Sequence, residues 1–177
     1  MHKFGTPVLI VMAIWIAIPI LGILLIFQTV VASQVTLIHG TTDLIMIAVI
    51  AWSLQKRVRT AWQWGIIGGF MVGFVSALPF AVPLISYLIV VLLAHRLRQR
   101  VWHVPIFAMF VTTFLGTLIS HTIAVISLRF LGTALPLQEV VFLITLPSLI
   151  LNLLLAAPAY FLFADLAKWV YPEELRV

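Results

Sequence analysis

Apolar residues in this chain come in long unbroken blocks, without the alternation or stripes of a fold surrounded by water. Between Thr60 and Ala94 there is no Asp, Glu, Lys, Arg or His. One helix needs about 20 apolar residues to cross a hydrocarbon core of roughly 30 Å, so this block must fold back on itself. Pro79 and Pro83 mark the turn, because each lacks a backbone donor and restricts the residue before it. The pattern therefore predicts two spans here, 61–78 and 80–95. Gly65, Gly69, Gly73 and Ala77 recur at every fourth position of the first arm, leaving one helical stripe nearly bare. Small-xxx-small stripes let helices approach closely in lipid, so these residues serve either packing within the bundle or a partner helix. The hairpin reads as the centre of a polytopic bundle.

Four further blocks complete the prediction. The first, 7–32, is broken by Pro19 and Gly22, carries the small pair Ala13 and Ala17, and has Gln28 as its one strongly polar side chain. Its length exceeds the ~7 to 15 residues of a signal-peptide core, which argues against cleavage at Val31-Ala32-Ser33. The second, 35–54, has to draw in Val35, Leu37 and Ile38 to span, and so takes Asp43 into the membrane. The fifth span is 104–128, with Thr113, Gly116, Thr117, Ser120, Ala124 and Ser127 on a face suited to protein contact. The sixth, 139–164, contains Pro147, Asn152 and Pro158. With the N-terminus in the cytoplasm, Arg129 alone of the 10 Lys and Arg lies outside. That is the favoured positive-inside arrangement, with both termini cytoplasmic. Trp52, Trp62, Trp64, Trp102 and Trp169 then fall at the inner surface as an aromatic belt beside the basic loops 56–59 and 96–100.

Composition leaves only the membrane class. Of 177 residues, 64% are hydrophobic and 8% charged, with a mean hydropathy of +1.24, too little polar surface for a soluble domain. The expected fold is an all-α six-helix transmembrane bundle, one domain over 1–177. The net charge of +5 comes from few basic residues beside apolar blocks, as topology signals rather than a nucleic-acid surface. Without cysteine there are no disulfides, thiol catalysis or thiolate metal sites.

Candidate chemistry is sparse. No H-E-x-x-H helix, G-x-S-x-G turn or paired acids on one span occur. Ser120 and His121 are neighbours in sequence and so point to different helix faces. The residues predict no enzyme, metal or cofactor. Asp43 is the most informative position, because a carboxylate near mid-membrane costs about 2.5 to 3.5 kcal/mol on insertion scales. Two roles stay open: N-cap of the second helix, or a contact inside the bundle with Gln28, Arg129 or hydroxyls. Asn152, between two prolines, is expected to fasten the bundle by supplying a donor to freed carbonyls, or to contact a partner helix.

Three stretches together resemble the MreD family of the bacterial rod-shape (elongasome) system. They are His39-Gly40-Thr41-Thr42-Asp43-Leu44; Ile67-Gly68-Gly69-Phe70 through Ser76-Ala77-Leu78-Pro79-Phe80; and Leu146-Pro147 through Asn152-Leu153-Leu154-Leu155, continuing to Trp169-Val170-Tyr171-Pro172-Glu173-Glu174. Asp43, Gly69, Pro79 and Asn152 match the family's pattern. Gly73 stands where the family often has an acid, and Ala81 where it tends to glycine, so the role of that acid does not carry over. The resemblance implies a non-enzymatic multi-pass scaffold in the bacterial cytoplasmic membrane. It would dock the transmembrane helix of an MreC-like single-span protein and link MreB to RodA and the penicillin-binding-protein machinery. The alternative is a substrate-binding subunit of an energy-coupling-factor vitamin transporter, which the bundle also resembles. Ala13 and Ala17 would then face the coupling protein, and Gln28, Asp43, Ser76 and His121 the substrate.

Overall fold

A computed structural model describes residues 6–32, 39–100, 104–133 and 136–172. Lys3 and Arg176 of the basic residues counted as inside, the start of the second predicted span (Val35, Leu37, Ile38), Trp102 of the predicted belt and the closing Glu173-Glu174 lie outside the described residues, as does Ser33 of the cleavage reading. The described chain is helical and contains no strand. Its helices are α1 (Thr6–Phe27, continued by a π-helical turn Gln28–Ala32), α2 (Leu44–Ser53), α3 (Ala61–Val75), α4 (Ala81–Arg100), α5 (Pro105–Phe130) and α6 (Leu137–Val170). Within α6 the segment Val140–Thr145 is π-helical and leads directly into Pro147. Four helices are long and apolar enough to cross a membrane: α1, α4, α5 and α6. The outward surface of the bundle carries Trp15, Ile23, Phe74, Leu154 and Leu162, each more than 60% exposed, an apolar exterior suited to lipid.

The centre of the bundle is α2, not the expected hairpin. Ten residues long, it rises only about 15 Å, half a bilayer core. Ile45 to Ser53 are all buried, and α2 touches each of the other five helices. An apolar helix enclosed by other helices needs no amphipathic stripe, which is why its sequence shows none.

The hairpin forms around it. α3 ends at Val75, Ser76 turns to extended backbone, and the Val82 amide bonds the Pro79 carbonyl as α4 begins. Pro79 therefore lies in the turn. Pro83 does not: it occupies the first turn of α4, where its missing N–H has no helical partner to lose. Ala77 lies past the end of α3 and is exposed, so the small-residue ladder has three helical rungs rather than four. Those rungs face α4. A Cβ on Gly65 would meet Val91, one on Gly69 the Leu84 backbone at 2.8 Å, and one on Gly73 the Phe80 ring. The stripe is thus filled by the next helix of the same chain and the turn that leads into it.

Other boundaries move for local reasons. α4 continues through Arg96, Arg98 and Arg100, which the pattern assigned to a loop, and α6 continues past Asp165 to Val170. Trp52 and Trp64 are not part of the expected belt at the inner surface. They are fully buried, stacked at 4.4 Å, with the Phe163 ring edge-on to both. The Trp64 indole donates to the Ala13 carbonyl at 3.1 Å, and Ala13 and Ala17 turn inward at 1% and 0% exposure. Trp62 and Trp169 do face outward.

Candidate functional site

The polar residues of the interior converge where α2 begins. Pro147 has no N–H to give the Leu143 carbonyl, four residues earlier, and the His39 amide takes that acceptor at 3.2 Å. One step on, Gly40 lies against Pro147 and Ser148 so closely that a Cβ would sit 2.6 Å from the Ser148 nitrogen. The Thr41 amide then donates to Ser148 Oγ at 3.0 Å, and the Asp43 amide to Asn152 Oδ1 at 2.9 Å. Residues 39–43 are thus strapped, rung by rung, along one face of α6. Non-helical backbone is tolerated at membrane depth only where protein satisfies its polar groups, and the His39, Thr41 and Asp43 amides each have such a partner.

The first turn of α2 is satisfied as completely. Gln28 Oε1, at the end of α1, accepts from the Leu44 amide at 2.8 Å and the Ile45 amide at 3.4 Å. Asp43 Oδ1 accepts from the Met46 amide at 2.9 Å as an N-cap, and from the Tyr87 hydroxyl at 2.6 Å. Asp43 therefore has both roles that its sequence left open. Its side-chain partners are Met46 and Tyr87, and the Arg129 side chain is exposed near the C-terminal end of α5. At the other end of α2, Arg98 donates to the carbonyls of Ser53, Gln55 and Val58, a cation on the negative end of the helix.

Asn152 is the knot. Buried at 1% exposure, it accepts from Thr42 Oγ1 at 3.0 Å as well as from the Asp43 amide, and donates to Thr117 Oγ1 at 3.0 Å. It joins the strap, α5 and α6, but not by donating to carbonyls freed by the prolines, as its sequence position suggested. Tyr87, Ser148 and Thr117 were not singled out as site residues. Thr117 lay on the polar face of α5, and Tyr87 is the one phenol of the span 80–95, which was the available signal.

Beside the knot is a half-enclosed cavity of about 380 Å³. Gln28, Asp43, Ser76 and His121, from four different elements, all line it, with Val72, Val82, Val125 and Leu128 among its apolar walls. His121 is held by Nδ1 against Thr145 Oγ1 at 3.0 Å. Among the described residues, no group of His, Cys, Asp or Glu is arranged to hold a metal ion. A smaller cavity at the other end of the bundle brings together Gln55, Lys56, Pro105 and Lys168.

No family model, curated protein or solved structure matches this chain. The arrangement can fix helices, cap half-length α2 and hold a small polar molecule, and two hydroxyls in it bond a basic group, Tyr87 to Asp43 Oδ1 and Thr145 to His121 Nδ1.

Proposed function

We propose that this chain is a non-enzymatic scaffold of the bacterial cell-elongation machinery, similar to the MreD family, with six spans and both termini in the cytoplasm. In this reading α2 and its strap together make the second crossing. It docks the transmembrane helix of an MreC-like single-span protein and connects MreB filaments with RodA and a penicillin-binding protein at the cytoplasmic membrane. One observation carries the reading. Two of the three stretches that bear the resemblance, His39 to Leu44 and Leu146 to Leu155, are about 110 residues apart and meet through direct hydrogen bonds. A motif pair shared by chance has no reason to meet in one knot.

The two ends of the bundle support the alternating topology. The outer ends predicted from the positive-inside count, near Gln28, Ser76 and Leu128, surround one cavity. The basic inner ends, Lys56 and Lys168, line the other. Both small-residue stripes are filled from within, Gly65 and Gly69 by α4, Gly73 by Phe80 of the turn before it and Ala13 by Trp64, so a partner helix docks on large exposed apolar side chains instead.

The transporter-subunit reading draws support from the cavity that gathers Gln28, Asp43, Ser76 and His121. It loses support from Ala13 and Ala17, whose burial removes the small-residue face offered to a coupling protein. Depleting the protein from a rod-shaped host separates the readings. Rounded cells, restored to rods by the intact chain, support the scaffold. Normal shape combined with a vitamin requirement supports the transporter subunit.

A further inference from the structure

We infer that the cavity beside Asp43 is a binding site for a protonated primary amine with a neighbouring oxygen, carried on an apolar body. The inference stands on the cavity and does not depend on the scaffold reading. Both hydrogen bonds to the Asp43 carboxylate, from Met46 and Tyr87, end on Oδ1. Among the described residues none ends on Oδ2, although Asp43 lines the cavity. The Gln28 amide is oriented by its Oε1, which holds two backbone N–H groups and leaves Nε2 as a donor at the same cavity. Ser120 adds a hydroxyl there, and His121, held through Nδ1, retains Nε2.

These atoms define a ligand. A carboxylate oxygen asks for a cationic donor, and among the described residues that line the cavity there is no Lys or Arg to provide one. An ammonium supplies that charge-assisted bond, while the Gln28 donor takes an oxygen next to the amine. Valine and leucine walls fit an alkyl body, and a volume of about 380 Å³ lies in the usual range for small-ligand sites. A lone carboxylate at membrane depth is costly, and a bound ammonium offsets that cost. The same chemistry has two sources: the ethanolamine headgroup of a phospholipid, or a free amphiphilic amino alcohol.

The test uses the purified full chain in dodecylmaltoside, with thermal unfolding followed by tryptophan fluorescence. The probe is 2-amino-1-dodecanol, compared with 1,2-dodecanediol, which has the same body and no charge. The amine is expected to raise the unfolding temperature and the diol is not. Asp43→Asn keeps a capping side chain and should weaken the amine at least about tenfold. Ala124→Phe fills the cavity from α5 without touching the Asp43 bonds, and should abolish the shift while leaving the unliganded protein folded. Native mass spectrometry from nanodiscs of mixed phosphatidylethanolamine and phosphatidylglycerol identifies the source. Selective retention of phosphatidylethanolamine, lost in Ala124→Phe, marks the lipid; amine binding without such retention marks the free compound. Equal shifts from amine and diol, or an amine shift that persists in Ala124→Phe, would overturn the inference while leaving the depletion phenotype to judge the scaffold separately.

Discussion

Replacing Asn152 with alanine removes three hydrogen bonds at once, to Thr42, to the Asp43 amide and to Thr117. Side-chain hydrogen bonds inside membrane bundles average about 0.6 kcal/mol, so three contribute roughly 2 kcal/mol. The change also strands the Asp43 N–H in the interior, and an unsatisfied buried donor adds about 1–3 kcal/mol. The expected loss is therefore roughly 3–5 kcal/mol. Thr117→Val removes only one of the three bonds and should cost about 0.6–1.7 kcal/mol. Both are measurable by titrating SDS into mixed micelles and following fluorescence of the stacked Trp52–Trp64 pair, which the substitutions do not touch. Asn152→Ala and Thr117→Val losing similar amounts, both below about 1 kcal/mol, would refute the idea that Asn152 fastens the strap.

Further outcomes follow from the same contacts. Gly69→Ala should destabilise by about 1–3 kcal/mol in that titration, because its Cβ meets α4 backbone that cannot yield. Gly116→Ala should be close to neutral, since its Cβ lies 3.1 Å from a Val90 methyl that can shift and alanine is the better helix former. Arg98→Gln removes the cation from the end of α2 and should cost about 1.5–3 kcal/mol, with the first exchange of protected amides at Ser53 to Val58 in hydrogen-exchange measurements. Because the chain has no cysteine, single cysteines read topology directly. Thr133→Cys should react with a membrane-impermeant maleimide in intact cells, and Lys56→Cys only after permeabilisation; the reverse would invert the proposed orientation.

The long apolar helices were legible because lipid imposes a length requirement that hydropathy records directly, and α1, α5 and α6 follow it within a few residues at most boundaries. α2 was not. Its apolar run after Asp43 is too short for a span, and hydropathy could only extend it backwards. What stabilises the non-helical residues 39–43 is a row of acceptors at Leu143, Ser148 and Asn152, more than 100 positions away and invisible to local pattern. Asp43 and Asn152 stood out because polar side chains are costly in lipid, but nothing in the sequence paired them. The glycine stripe revealed a close approach without naming the approaching helix, which is simply the next one in the chain. Trp52 and Trp64 misled for a related reason. Beside a basic loop, tryptophan reads as an interfacial belt, whereas here the two rings stack in the core and bond Thr60 and Ala13.

Purification from native membranes in mild detergent, followed by identification of everything that travels with the protein, tests the proposed role most directly. The account predicts a single-span protein with a periplasmic coiled coil, together with elongation enzymes. Recovery of paired ATPases with a vitamin held beside Asp43 would contradict it.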